Sequence, residues 1–96
     1  MSIGVIVDMR LKPGGGEVFK PLLAIGVPAA RSTQGCEDIY VGIDVDDPDH
    51  LTLVQRWAGR EQYDRHAEEV ASHPPPAEVL AYVEAQTTTF LEDAGI

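Results

Sequence analysis

The chain has 96 residues and a formal net charge of −9, with 16 acidic against 7 basic side chains. Its length allows one hydrophobic core, so we expect a single domain over residues 1–96. The acidic excess repels phosphate backbones and anionic lipids, and no run approaches the roughly 18 apolar residues of a membrane span, so neither nucleic acid nor membrane is an expected partner. The N-terminus lacks the pattern of a signal peptide, which predicts a cytoplasmic location.

The first predicted elements are a strand and a helix. Apolar side chains alternate along the strand at Ile3, Val5, Val7, Met9 and Leu11. Pro13-Gly14-Gly15-Gly16 then ends this strand with turn chemistry. Helical spacing follows over residues 17–30. Its apolar stripe consists of Val18, Leu22 and Ile25, with Phe19 and Leu23 beside it. Because proline disrupts a helix interior, Pro21 and Pro28 predict either a start near Lys20 or a kink.

The next predicted elements form a hairpin. Alternation resumes in a second strand at Ile39, Val41, Ile43 and Val45. The run Asp46-Asp47-Pro48-Asp49 has the composition of a turn, because proline fixes φ and aspartate accepts local backbone bonds. A third strand follows, and its apolar face carries Leu51, Leu53 and Trp57.

A second helix and a final strand complete the pattern. The helix is predicted over residues 61–71, and a run of three prolines ends it. Its inner stripe carries Tyr63, His66, Ala67 and Val70. A short helical turn at 77–81 precedes a strand from Tyr82 to about Leu91. This order predicts an α+β fold, the ferredoxin-like βαββαβ unit, an antiparallel sheet with helices on one face. Ile6 and Tyr40 make the other face partly apolar, which predicts that a second copy of the chain covers it.

One stretch resembles the central signature of the antibiotic biosynthesis monooxygenase family, in which a strand ends in Trp, and a small residue, Glu, an aromatic residue and His follow. It reads Gln55-Arg56-Trp57-Ala58-Gly59-Arg60-Glu61-Gln62-Tyr63-Asp64-Arg65-His66. Ser72-His73-Pro74 resembles the histidine turn that comes next in the family, and Lys12-Pro13-Gly14 and Gln34-Gly35-Cys36 resemble further family positions. The resemblance implies a dimeric α+β barrel, in which two sheets pack face to face, with a pocket in each subunit between the sheet and its helices.

The family resemblance implies several activities. Some members are oxygenases that use neither metal nor flavin and oxidise electron-rich aromatic or quinol substrates, others bind and degrade heme, and others have no settled activity. The heme-degrading members combine a Trp and a helix His with an Asn on the first strand. The first strand here contains no Asn, so heme degradation is not the expected activity. In the family the first helix forms one wall of the pocket, and prolines such as Pro21 and Pro28 are unusual in it. We therefore expect a pocket whose shape differs from that of other members.

His66 is the candidate catalytic residue. Facing the expected pocket, it would act as a general base near neutral pH, and the alternative is a histidine packed between helix and sheet. Trp57 and Tyr63 are candidate substrate-binding residues through ring stacking and a hydrogen bond, with packing roles as the alternative. His73 is a candidate substrate contact at the pocket mouth, or else a solvated turn residue.

Neither a metal nor another cofactor is expected. His50 lies beside Asp47 and Asp49 in the sequence, which we interpret as a surface cluster because a metal site needs further ligands. Cys36 is the only cysteine and follows Gly35 with no basic group nearby to lower its pKa, so we expect a buried structural thiol.

Three functions stay open. The first is a cofactor-independent monooxygenase that oxidises a small electron-rich aromatic, polyketide-like or quinol substrate with O₂, with His66 as the base. The second is a non-catalytic dimeric domain, binding a small molecule or linked to stress, with a vestigial pocket. The third is heme binding with His66 as the axial ligand. A filled or absent cavity around His66 would favour the second.

Overall fold

The chain folds as an α+β unit, described here over residues 2–96 of a computed structural model. Its helices and strands are β1 (Ile3–Leu11), α1 (Gly15–Arg31), β2 (Cys36–Asp44), β3 (Asp47–Trp57), α2 (Arg60–Ala71), α3 (Ala77–Leu80) and β4 (Val83–Glu92). The strands form one antiparallel sheet in the order β2-β3-β1-β4. The predicted ferredoxin-like βαββαβ topology is therefore confirmed, and α3 is the short helical turn expected before the last strand.

The hydrophobic core lies between the sheet and α1. In the antiparallel register, Val5 of β1 is opposite Gln55 of β3, and Ile3 is opposite Trp57. The buried core residues are Val5, Val7, Met9, Leu11, Phe19, Leu51 and Trp57. A smaller buried group joins the end of α1 to β2 and consists of Val27, Ala30 and Ile39. Each large apolar side chain buried here contributes about 1.5–3 kcal/mol, which fixes α1 on the sheet.

The side chains that point away from the core form the second face of the sheet, which we call the open face. Its members are Gly4, Ile6, Asp8 and Arg10 of β1 with Tyr40, His50, Thr52, Val54, Arg56 and Leu91 of the neighbouring strands. Tyr40 is 64% exposed, and Val54 and Leu91 are exposed as well. Apolar surface on this face is therefore in contact with solvent.

α1 begins earlier than predicted and contains both prolines. Gly15 and Gly16 are buried in its first turn, and the Gly16 N–H donates to Asp49 Oδ1 at 2.9 Å. Without a side chain, Gly16 can approach β3 closely enough to make this bond. The predicted start near Lys20 is therefore wrong, since the helix starts at Gly15.

The inner stripe of α1 also differs from the prediction. Leu22 is exposed and Ile25 is 76% exposed, so the stripe predicted through them is wrong. The buried residues Gly15, Phe19 and Val27, with the partly buried Leu23, follow one another at intervals of four. Residues four apart share one helix face, so the docking of Gly15 against the sheet determines which later residues point inward.

The turn between β2 and β3 consists of Val45 and Asp46. The predicted turn over residues 46–49 is therefore wrong in extent, because β3 already begins at Asp47. Pro48 is tolerated inside β3 because the pairing of β3 with β1 starts beyond it, so the missing proline N–H breaks no bond to that strand.

α2 and β4 form a loosely packed side of the fold. No residue of α2 is buried, and every residue of β4 except Val83 is exposed. The helix predicted over residues 61–71 is confirmed with its start at Arg60, although Val70 of the predicted inner stripe is exposed. Within residues 2–96, no helix combines the length and apolar character that crossing a membrane requires.

Candidate functional site

An aromatic cluster lies where β3, α2 and β4 meet. Its members are Trp57, Arg60, Tyr63, His66 and Phe90. Trp57 ends β3, and the three residues from α2 are spaced by three, which places them on one face of that helix. The spacing in the sequence thus brings Tyr63 and His66 together with Trp57.

The members of the cluster contact one another in series. The ring centroids of Trp57 and His66 are 4.8 Å apart, with their planes inclined by 31°. The Tyr63 ring meets Trp57 and Phe90 edge to face, at centroid distances of 5.8 and 5.4 Å. The Arg60 guanidinium carbon lies 3.5 Å from the Phe90 ring centroid. Such a cation–π contact contributes about 0.5–1 kcal/mol at an exposed site, so the cluster helps to hold α2 on the sheet.

His66 is half-buried against Trp57. Burial lowers its pKa below the usual value for histidine, because the charged imidazolium loses solvation. The two ring nitrogens of His66 have no hydrogen-bond partner among residues 2–96. Every buried side-chain nitrogen or oxygen in that range has a partner, so both ring nitrogens must be reached by solvent. The lowered pKa favours the neutral imidazole at pH 7, whose unprotonated nitrogen can accept a proton.

Tyr63 and Trp57 differ in what they offer a ligand. Burial and, secondarily, the negative charge of Asp64 raise the pKa of Tyr63, so its hydroxyl stays protonated and can donate a hydrogen bond. Trp57 is fully buried, and its Nε1–H donates to Gln55 Oε1 at 2.9 Å. Trp57 therefore acts as a core anchor in this conformation, with His66 covering part of its ring.

His73 lies apart from the cluster. It follows the C-terminal end of α2, its side chain is 77% exposed, and its Nδ1 is 2.9 Å from Ser72 Oγ. Arg60, Phe90 and Gln55 were not among the candidates from the sequence. Gln55 could have been found, because it lies two residues before Trp57 and side chains at that spacing share one face of a strand.

Two cavities lie elsewhere in the molecule. One, of about 250 Å³, is mainly apolar and lies between α1 and the β2–β3 hairpin, where Leu23, Val27 and Leu51 line it. The other, of about 500 Å³, is a groove on the open face beside Tyr40 and Arg56. Neither cavity is lined by a member of the aromatic cluster. One side of the His66 ring packs on the Trp57 ring.

Three polar residues on or beside the open face surround the His50 ring. The Nε2 atom of His50 lies 2.7 Å from Asp8 Oδ1, and its Nδ1 atom lies 2.8 Å from Asp44 Oδ2. Thr52 Oγ1 donates to the same Asp8 oxygen at 3.0 Å. Asp47 and Asp49, its neighbours in the sequence, make no hydrogen bond to the ring, whose partners are Asp8 and Asp44. Within residues 2–96, no three His, Cys, Asp or Glu side chains are arranged to hold a metal ion.

Cys36 is half-buried at the start of β2. Burial raises the pKa of its thiol, because the thiolate would lose solvation. A raised pKa leaves little nucleophilic thiolate at neutral pH, and Cys36 packs beside the core. The thiol is only partly buried, whereas full burial was predicted.

The fold and the aromatic cluster define a small ferredoxin-like α+β protein with a histidine-bearing helix over one end of its sheet. The chain belongs to the antibiotic biosynthesis monooxygenase family, whose model matches residues 2–85. Membership of this family indicates a monooxygenase-like function.

Solved structures share the fold. The crystal structure of an antibiotic biosynthesis monooxygenase has a TM-score of 0.84 at 20% identity, over 96% of this chain and 98% of the other. A protein from Shewanella oneidensis has a TM-score of 0.80 at 22% identity, over 93% and 87% of the two chains. A protein from Mycobacterium tuberculosis has a TM-score of 0.78 at 20% identity, over 97% of this chain and 95% of the other. No curated protein matches the chain.

Proposed function

We propose that this protein is a cofactor-independent monooxygenase that oxidises a small electron-rich aromatic, polyketide-like or quinol substrate with O₂. The environment of His66 carries the proposal. Its ring packs on Trp57, burial lowers its pKa, and no residue within 2–96 occupies its ring nitrogens. A general base needs a neutral imidazole with a free acceptor nitrogen at the working pH.

In the proposed reaction, His66 accepts the proton of a substrate hydroxyl. The phenolate that results is a stronger reductant than the phenol and transfers an electron to O₂. The two radicals combine to form a peroxide on a ring carbon that carries hydrogen, and the peroxide takes back the proton held by His66. Loss of the ring hydrogen then breaks the O–O bond, so that one oxygen atom remains on the ring as a carbonyl and the other leaves as water. A phenol and O₂ thus give a quinone and water, with every electron supplied by the substrate.

Trp57, Tyr63 and His73 are the proposed substrate-binding residues. The protonated Tyr63 hydroxyl would donate to a substrate oxygen. His73 is exposed beyond the end of α2, so it would contact a substrate that extends past the cluster. Stacking on Trp57 requires that His66 or α2 move outward, because Trp57 is fully covered. The absence of buried residues in α2 supports such a movement, since displacing this helix exposes little core.

Oxygen consumption by the purified, metal-free protein tests the proposal, with a panel of quinols and polyhydroxylated aromatics as substrates. We expect consumption above autoxidation that falls about 10²–10⁴-fold in His66→Ala. Glu68→Ala, on the exposed side of the same helix, is the matched control and should keep full activity. Equal turnover in His66→Ala and the unmodified protein would contradict the base, and no consumption with any compound would contradict the oxygenase.

A non-catalytic domain that binds a small molecule is the second candidate function. The positions of the two cavities favour it, because neither is lined by Trp57, Tyr63 or His66. Calorimetric titration with the same panel separates the two functions. Saturable binding that persists in His66→Ala, without oxygen consumption, would identify a binding domain.

We further propose that the chain forms a homodimer through its open face. The exposed Tyr40, Val54 and Leu91 support this interface, because apolar surface on a sheet face gains from being covered. A domain of this size also buries only about 60–65% of its unfolded surface alone, so a partner adds stabilising burial. Members of the family are typically dimers that bind small molecules.

A further inference from the structure

Gln55 is the one buried polar side chain in the described part of the chain, with 7% of its surface exposed. It lies on the core side of β3, two residues before Trp57. Its partners in register are Val5 of β1 and Ile39 of β2, and both are buried and apolar. An amide in such surroundings must form hydrogen bonds or lose the free energy of its hydration.

The bond between Gln55 and Trp57 fixes the orientation of this amide. An indole Nε1–H can only donate, so the atom 2.9 Å from it must be the carbonyl oxygen Oε1 of Gln55. The amide nitrogen Nε2 then has no partner among residues 2–96. Since no buried side-chain nitrogen in that range lacks a partner, solvent must reach Nε2. The Oε1 atom of Gln55 thus binds Trp57, and its Nε2 atom is accessible to solvent.

The amide contributes to stability, because a methionine or leucine of similar volume would leave the buried Nε1–H of Trp57 without an acceptor, at a cost of about 1–3 kcal/mol. Core packing also restricts the fully buried indole. The acceptor adds a requirement of direction, because the N–H must point at Gln55. The bond from Oε1 selects one indole orientation, and His66 packs against that ring at a centroid distance of 4.8 Å.

From this geometry we infer that Gln55 is a positioning residue, which holds the Trp57 indole in the orientation that supports and partly desolvates the His66 ring. Its effect on catalysis rests on the proposed function of His66, but its effect on the two rings does not. Gln55 acts through Trp57 and is not required to touch the substrate.

The single tryptophan gives a direct measurement of the first contact. The protected indole N–H of Trp57 is followed by hydrogen exchange in nuclear magnetic resonance spectra. Gln55→Met, which removes the acceptor at similar volume, should speed this exchange by about tenfold, the loss expected for one hydrogen bond. Gln55→Glu keeps an acceptor oxygen and should retain the protection. Unchanged exchange in Gln55→Met would overturn the inference.

The titration of His66 measures the second contact. Burial lowers the pKa of His66, and its ring packs on Trp57, so an indole that turns to pair its N–H elsewhere should let this pKa rise toward its ordinary value in Gln55→Met. Leu51→Val, a change at another buried position of β3, is the matched control for general destabilisation and should leave the titration unchanged. The same rise in both variants, or no rise in Gln55→Met, would overturn the inference.

Both measurements are made without substrate, so they decide the inference even if no compound supports oxygen consumption. Where consumption is found, Gln55→Met should lower kcat more than it raises KM, because it disturbs the base and not a substrate contact. A changed KM with unchanged kcat would contradict a role through His66.

Discussion

The imidazole of His50 lies between two carboxylates, 2.7 Å from Asp8 and 2.8 Å from Asp44, and joins three strands across the open face. Hydrogen bonds to Asp44 and then Asp8 raise the pKa of His50. The bond to His50 is also the largest cause that lowers the pKa of each carboxyl group. The three shifts agree, so the charged forms of all three groups stabilise the folded sheet.

His50→Asn should reduce stability in a pH-dependent way. A raised pKa means that the folded state binds a proton more tightly than the unfolded state. His50 therefore makes its full contribution to the free energy of unfolding below about pH 6.5, the pKa of histidine in the unfolded state. This contribution is lost as the pH rises through the raised pKa of the folded state. We expect the variant to lower Tm at pH 6 and to change it much less at pH 9, measured by thermal unfolding across this range.

A double-mutant cycle with Asp8→Asn checks the origin of this effect. The coupling between positions 8 and 50 should be favourable at pH 6 and become smaller once the histidine is neutral, when only one ring nitrogen can donate. A coupling of equal size at both pH values would mean that the charge of His50 does not contribute.

Two glycines of α1 should respond oppositely to the same substitution. A Cβ at Gly16 would collide with the backbone oxygen of Pro48, whereas a Cβ at Gly26 meets no atom within 4 Å. Gly16→Ala should therefore destabilise the protein by about 1–3 kcal/mol, because backbone cannot yield easily. Gly26→Ala should stabilise it by about 0.5–1 kcal/mol, since alanine restricts the unfolded chain. Urea unfolding measures both, and destabilisation by Gly26→Ala would contradict the open surroundings.

The features that the sequence predicted correctly depend on short-range periods. The alternation in β1 and the spacing of Tyr63 and His66 on α2 each follow from a few neighbouring residues. Such periods determine which element forms and which side chains share its face. They are sufficient for the βαββαβ order and for placing Tyr63 and His66 on one face of α2.

The features that the sequence did not predict depend on long-range pairing. The partners of His50 are 6 and 42 residues away, and only the strand register shows that Asp8 lies within reach. Likewise, the contact of Gly16 with Asp49 allows a helix start where local turn chemistry predicted a loop. In both cases a tertiary contact outweighs the local preference.

Substitution of Tyr40 should separate the proposed dimer into monomers. Tyr40 is exposed on the open face, on the edge strand β2, and a carboxylate there would be desolvated in the interface. We expect Tyr40→Asp to weaken association by about 2 kcal/mol or more, roughly 30-fold in Kd. Ile25→Asp, at an exposed apolar position on α1, is the matched control and should remain dimeric in sedimentation velocity experiments. A monomeric unmodified protein, or equal effects of both substitutions, would argue against this interface.

The pH profile of oxygen consumption should report the state of His66. The proposed reaction uses the neutral imidazole, so kcat/KM falls as the ring becomes protonated. Because burial lowers the pKa of His66, the base form persists below the ordinary histidine value, and the acid limb should lie below about pH 6.5. In Gln55→Met the limb should move upward with the titration of His66, while Glu68→Ala should leave it in place. An acid limb above pH 6.5 in the unmodified protein, or one that is unchanged in Gln55→Met, would mean that another group controls the rate.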